Sequence, residues 1–152
     1  MIKLVVVGKI KDKHLQALIE DYAKRINRYH KLEIIEVKDE PIQNDESAVL
    51  KKEGQRVLEK IGNDDYVITL DLHGKMCDSL TFAAKIDRLF ITYPRITFVI
   101  GSSLGLSEEL RERSNELFKL SDLTFLHQMT RLIVLEQIYR SFKILNNETY
   151  HK

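Results

Sequence analysis

The chain reads as an α/β domain: a mostly parallel sheet with helices on both of its faces. Two observations lead there. Short runs of branched apolar residues alternate with segments of helical apolar spacing from end to end. Several of the strand-like runs, such as Ile2–Val7 (IKLVVV) and Ile96–Ile100, are apolar almost throughout, as expected of strands covered on both sides.

The elements follow in order. Ile2–Val7 is a strand ending at Gly8. Leu15, Leu18, Ile19, Tyr22, Ala23 and Ile26 then form one helical stripe, with Asp12 as its cap. Leu32–Val37 (LEIIEV) is a second strand, more polar and therefore nearer an edge. Pro41 to Asp45 is a polar connection. Ser47 to Ile61 is a helix in which Gly54 is a weak spot. Asn63–Asp65 turns into a third strand, Tyr66–Leu72, and Asp78 or Ser79 caps a helix through Phe90. Pro94 bounds the strand Ile96–Ile100, and Ser107 caps a helix carrying Glu108 and Glu109 in its first turn. Leu117–Leu120 is a short fifth strand, and His127 to Leu145 is the last helix. That helix is apolar on more than one side, so it is either central to the fold or shared with a second subunit.

A length of 152 residues is one domain, here residues 1–152. An apolar fraction of 43% beside 31% charged residues, with 2 prolines and 6 glycines, excludes disordered and collagen-like chains. A single cysteine, Cys77, excludes an internal disulfide framework. No apolar run approaches a membrane span and the start does not resemble a secretory leader, so a cytoplasmic protein is expected. The net charge of +1 hides a basic start, with eight Lys/Arg against three Asp/Glu in residues 1–31, and an acidic stretch over residues 32–66. The basic side chains Lys9, Lys11, Lys13, Lys24, Arg25 and Arg28 are a candidate surface for a polyanion.

Ligands of open parallel sheets bind at the carboxyl ends of strands. Three loops sit there: residues 70–75, 100–107 and 120–127. Gly101 and Gly105 lack a Cβ, which lets a ligand or another segment approach the main chain. The chain has no phosphate-loop motif, no zinc-type Cys/His spacing and no nucleophile elbow, so no metal is expected. Taken singly, the glycines make a plain turn, His127 caps a helix, and Glu136 and Arg140 pair within theirs at i, i+4. The residues alone reach an α/β domain with a small-molecule site at three loops.

The order of several short segments adds more. They are Val-Gly-Lys (7–9), Lys-Glu-Gly-Gln-Arg (52–56), Thr-Leu-Asp (69–71) with Gly-Lys (74–75), and Phe-Val-Ile-Gly (98–101). Leu-Thr-Phe (123–125), His-Gln-Met (127–129), Glu-Gln-Ile-Tyr-Arg (136–140) and Tyr-His-Lys (150–152) follow. Together, along nearly the whole chain, they resemble the RlmH family of the SPOUT superfamily, small methyltransferases acting on N3 of a pseudouridine in 23S ribosomal RNA.

The resemblance implies an α/β knot, with a C-terminal trefoil, folding the three loops around S-adenosyl-L-methionine. By residue match, Leu70, Gly101, Leu120, Ser121, Asp122, Leu123, Thr124 and Phe125 contact that cofactor. Arg140, Tyr150 and His151 are the implied catalytic residues. Arg140 would fork onto a phosphate or uracil oxygen, Tyr150 would stack on or hydrogen-bond the base, and His151 would position it or take its proton. A homodimer through the last helix is implied, with the tail crossing to the partner's pocket, and an assembled ribosome or subunit as substrate.

Two departures stand out: Ser102 replaces a second glycine, and Leu126 replaces a proline before the histidine. A SPOUT enzyme for another RNA position, a ribosome-associated binding protein without activity, favoured only by these two departures, and an unknotted flavodoxin-like nucleotide binder, opposed by the absent phosphate loop, are the alternatives.

Overall fold

The computed structural model describes residues 1–42 and 44–152, so Gln43, inside the connection expected at Pro41–Asp45, lies outside the described residues. Five strands form one parallel sheet: β1 (Ile2–Val7), β2 (Leu32–Val37), β3 (Asp65–Lys75), β4 (Arg95–Ile100) and β5 (Glu116–Phe118), in the order β2-β1-β4-β3-β5. The more polar β2 is an edge, as its composition suggested. The helices are α1 (Lys13–Ile26), α2 (Glu46–Leu58), α3 (Ser79–Thr92), α4 (Glu108–Arg113) and α5 (His127–Leu145).

The strand period of two divides the core. Ile2, Leu4 and Val6 of β1, with Ile96, Phe98 and Ile100 of β4, face a layer that includes α1, α3 and α5. Val5, Val7, Val67 and Val99 face Val57 of α2 and Leu110 of α4. Helices α1 and α3 both pack on α5, which explains its apolar girth from within one chain. The helix starts are capped by Asp12, Asp45, Asp78 and Ser107, each accepting the amide of the residue three positions on.

Three expectations are corrected. Helix α2 runs Glu46–Leu58 rather than Ser47–Ile61, because Asp45 takes the cap. Gly54 is a contact rather than a weak spot: a Cβ there would lie 2.2 Å from the Ser107 hydroxyl, so its absence lets α2 pack on the start of α4. Strand β3 extends to Lys75, with a register shift between Leu70 and Lys75. At Gly74 a Cβ would meet the Phe118 main chain at 2.6 Å, and the Lys119 amide donates to the Lys75 carbonyl at 3.1 Å.

Asp65, read as a turn residue, is a buried hub at the amino ends of the strands, opposite the loops of interest. It pairs with Arg95, accepts from the Thr97 hydroxyl at 2.8 Å and the Gly62 amide at 2.9 Å, and faces Lys3 at 3.5 Å. Burial opposes its charge, but these donors hold the carboxyl below its ordinary range. A carboxyl depressed on folding stabilises the fold above its unfolded value, about pH 4, and that contribution is lost as pH falls through the folded value. Urea unfolding between pH 6 and pH 2 should show this acid loss, and Asp65→Asn should flatten it. An unchanged acid slope would assign the loss to other carboxylates.

Candidate active site

The carboxyl ends of β3, β4 and β5 open onto a cavity of about 630 Å³, lined by all three loops picked out above. Its size lies within the range of small-molecule sites. Seven of the eight expected cofactor residues line it: Leu70, Gly101, Leu120, Ser121, Leu123, Thr124 and Phe125. Asp122 does not. Its carboxylate turns to solvent and pairs with Lys119 at 2.6 Å, because a short i, i+3 ion pair on the loop surface is available to it. Leu104, Leu106 and Phe118 complete the apolar wall, and Asp71 pairs with Arg111 at its polar edge.

The two loop glycines act differently from one another. A Cβ on Gly101 would meet the carbonyl oxygen of Gly105 at 2.4 Å, so there the main chain is pressed by its own loop. Gly105 has φ +100°, favoured by glycine, and a Cβ there would meet nothing within 4 Å. The loop thus closes at Gly101 and leaves open space at Gly105.

Ser102 is tied down from below. Its hydroxyl donates to Glu53 Oε1 at 2.7 Å, and Glu53 Oε2 accepts the Glu40 amide at 3.1 Å. Glu53, on α2, is buried at 4% exposure. The serine in place of a glycine therefore fastens the cavity loop rather than blocking it. Ser102→Ala removes a charge-assisted donor from a buried carboxylate, a loss of roughly 1.5–3 kcal/mol. The expected result is a lower unfolding midpoint and weaker uptake of a cavity ligand, followed by thermal melting and calorimetry. Unchanged values in both would show that the loop holds its shape without Glu53.

His127 is not a cap. It is the first residue of α5, with Leu126 at the capping position making no side-chain bond. Leu126 has φ −57°, a value that proline would also impose, so the residue change leaves the local path intact. His127 lines the cavity, and its imidazole is pushed down by burial and then by the nearby Arg131. Arg131 itself is buried at 2% exposure and donates to the carbonyls of Val7 and Gly8 at 2.7 and 2.9 Å, and to Glu36 at 3.1 Å. It secures the start of α5 to the end of β1.

A second cavity of about 510 Å³ adjoins the first and shares Phe118, Leu120, Ser121 and Phe125 with it. Cys77, Asp78, Ser79, Gln137 and His151 also line it. Burial raises the Cys77 thiol above its ordinary range, which makes it a poor nucleophile.

The chain's end folds back along its own α5. The Tyr150 ring meets Tyr139 edge-on at 4.9 Å, and its hydroxyl lies 3.2 Å from that of Tyr22 on α1. Arg140 sits over the Tyr150 ring at 4.8 Å and lies 3.2 Å from His151 Nδ1. Arg140, Tyr150 and His151 are thus one cluster. The forked edge of Arg140 does not face outward as expected: its Nε and Nη2 donate to Glu136 Oε1 at 3.1 and 2.5 Å. The i, i+4 pair legible in the sequence occupies it.

Exposed Lys9, Lys11, Lys13, Lys24 and Arg28 make no ion pair among the described residues, whereas Arg25 pairs with Asp21 at 2.8 Å. Of this set only Arg25 adjoins the Tyr150 cluster, lying over the rings of Tyr22 and Tyr139 at 5.2 and 5.7 Å, whereas Lys13 and Lys24 fall on the face of α1 opposite Tyr22. Among the described residues there is no group of metal-ligating side chains, and no helix is long and apolar enough to cross a membrane.

Sequence reasoning missed Glu53, Arg131 as an anchor, and Glu136 as the hub of the tail. Arg131 had a usable signal, since it stands directly before the apolar run 132–135. Glu53 had none beyond its place in the 52–56 segment.

A family model described as "Predicted SPOUT methyltransferase" matches residues 1–151. The chain is 47% identical to a protein of Enterococcus faecalis and 45% identical to one of Streptococcus thermophilus, each named "Ribosomal RNA large subunit methyltransferase H", with 99% of both chains covered in each case. The structure resembles that of a probable methylase family protein from Haemophilus influenzae, with a TM-score of 0.57 at 13% identity, covering 99% of this chain and 70% of that one. That likeness speaks for the fold alone.

Proposed function

Because this chain belongs to the SPOUT methyltransferase family, we propose that it methylates N3 of a pseudouridine in 23S ribosomal RNA, using S-adenosyl-L-methionine. The observation that carries this is the mostly apolar cavity at three strand-end loops, joined by shared walls to a second cavity that His151 lines. A donor site and an acceptor site side by side are what group transfer requires.

The first cavity fits the cofactor by chemistry. Leu70, Leu123 and Phe125 supply apolar walls, and the main chain of residues 120–126 supplies polar groups for an adenine edge. The open space at Gly105 gives room for a polar tail. When bound, S-adenosyl-L-methionine supplies a methyl group on a positively charged sulfur, so no metal is needed.

The protein's own part is alignment and stabilisation of the charge that develops as the N3 proton leaves. Good alignment alone lowers a barrier by up to about 7–11 kcal/mol in intramolecular models. Tyr150 is the candidate partner for the base by stacking, since its hydroxyl donates to Glu136 at 3.0 Å. Arg140 holds the tail in place through Glu136 and His151. Asp122, paired with Lys119, is left to a role at the loop surface.

The exposed Lys9, Lys11, Lys13, Lys24 and Arg28 support an RNA partner, and their small number suits a shaped surface such as an assembled ribosome or subunit better than free RNA. The exposed Leu72, Leu123 and Leu126 at the rim of the first cavity and Leu80 at the second suit a homodimer that covers them. The path of the chain from β5, an edge strand, across the ends of β3 and β4 to α5 beside β1 supports a trefoil knot in the C-terminal part. A cytoplasmic location follows from the ribosomal substrate.

The test is labelled methyl transfer to intact ribosomes lacking the modification, with the modified nucleotide mapped. The expected label lies on N3 of one pseudouridine of 23S RNA. Label at another position would make this a SPOUT enzyme of different specificity. Cofactor uptake without transfer would leave only a binding protein.

A further inference from the structure

The tail cluster contains a constraint on chemistry that residue types alone do not. Arginine has only donors, and an imidazole nitrogen that meets one must be an acceptor. Arg140 Nη1 lies 3.2 Å from Nδ1 of His151, so Nδ1 carries no proton and the neutral ring carries it on Nε2. Glu136 sets that arrangement. It takes Nε and Nη2 of Arg140, the Tyr150 hydroxyl at 3.0 Å, and the Gln137 amide at 2.9 Å on its other oxygen. Gln137 is itself held by the Ser79 hydroxyl at 2.7 Å, at the start of α3. Each freedom of the guanidinium is removed by a named contact. The one carboxylate noted beside His151 in the second cavity, Asp78, has its Oδ1 engaged by the Thr81 amide at 2.7 Å.

From this geometry we propose that His151 is a hydrogen-bond donor to a carbonyl oxygen of the target base, and not the base that removes its proton. Glu136 and Arg140 are positioning residues that hold its tautomer. The inference rests on the uracil-directed methyl transfer proposed above and assigns a role within it. Uracil-type bases carry N3–H between two carbonyl oxygens. On reaction the N3–H bond breaks and its proton passes to solvent; the electron pair left on N3, shared with both oxygens, would form the N3–methyl bond as the methyl–sulfur bond breaks, its electrons leaving with the neutral thioether. A donor aimed at one of them stabilises that charge as it develops. Such a donor also selects for a ring that presents an acceptor beside the reacting nitrogen, which cytosine does not do at its C4 side.

A donor and a general base respond differently to substitution. Glutamine can still donate through its amide, whereas phenylalanine cannot and neither can act as a base. His151→Gln should keep methyl transfer to unmodified ribosomes within about tenfold, and His151→Phe should lose about 10²–10³-fold, the usual effect of removing one such donor. The rate-against-pH profile of His151→Gln should parallel that of the unaltered protein. Equal inactivity of both variants, with the pH dependence abolished, would make His151 the general base and overturn the proposal.

A second readout does not depend on activity. Nitrogen-15 spectra of the full-length protein labelled at histidine, with the His151 signals assigned by their loss in His151→Gln, should show a protonated Nε2 and a bare Nδ1 at pH 8. Arg140→Leu should let the two tautomers exchange. A proton on Nδ1 in the unaltered protein would overturn this assignment alone, while failure of that protein to methylate ribosomes would overturn the underlying activity.

Discussion

A chain ending at Asn147 should bind S-adenosyl-L-methionine as well as the whole protein and yet transfer its methyl group about 10²–10⁴-fold more slowly. Every residue assigned to the cofactor cavity lies between Leu70 and Thr130, so the truncation leaves that wall complete. What it removes is Tyr150 and His151, with Glu148, which accepts from Tyr29 at 2.9 Å and pairs with Lys143 at 2.5 Å. The range is that of a positioned proton-handling or charge-stabilising group. Calorimetry with the cofactor and labelled transfer to unmodified ribosomes read the two effects separately. Normal transfer by the shortened chain would remove the tail from the chemistry.

Arg131→Met should lower the unfolding free energy by about 3 kcal/mol. Breaking a buried charge pair costs roughly 3–5 kcal/mol, and a buried acceptor left without its donor costs about 1–3 kcal/mol. Here the Val7 and Gly8 carbonyls both lose their donor, while Glu36, at 37% side-chain exposure, can be rehydrated and so moderates the loss. Methionine keeps the stem's packing, so the effect isolates the guanidinium. Urea unfolding with an unchanged dependence on denaturant is the measurement. A loss below 1 kcal/mol would mean that the β1 carbonyls find other donors, and that α5 is placed by packing alone.

The same side chains show where local information ends. The alternation of apolar runs and helical stripes sufficed for ten elements in order, because a strand buried on both faces and a helix buried on one impose different spacings on apolar residues. Three of the four side-chain caps were equally legible, since Asp12, Asp78 and Ser107 act on amides only three residues away, whereas Asp45 reads as part of the preceding connection. So was the Glu136–Arg140 pair, one helical turn apart. Asp45 and the extent of β3 slipped by a few residues, where capping and pairing with β5 decide the boundary.

Other features depend on partners far away along the chain. Gly54 is required by Ser107, 53 positions on, and Ser102 is useful because Glu53 waits beneath it. Asp65 is a buried hub only because Arg95 and Thr97 arrive beside it on β4. Arg131 finds its carbonyl acceptors at Val7, the end of β1, and at Gly8 just beyond it, more than 120 residues earlier. Local periodicity reports which face of an element is apolar, and that much was written in the amino-acid order. Which charged group meets which, and hence which tautomer His151 holds, arises only when distant segments are brought within hydrogen-bonding reach, because those forces act over about 3 Å and carry no trace along the chain.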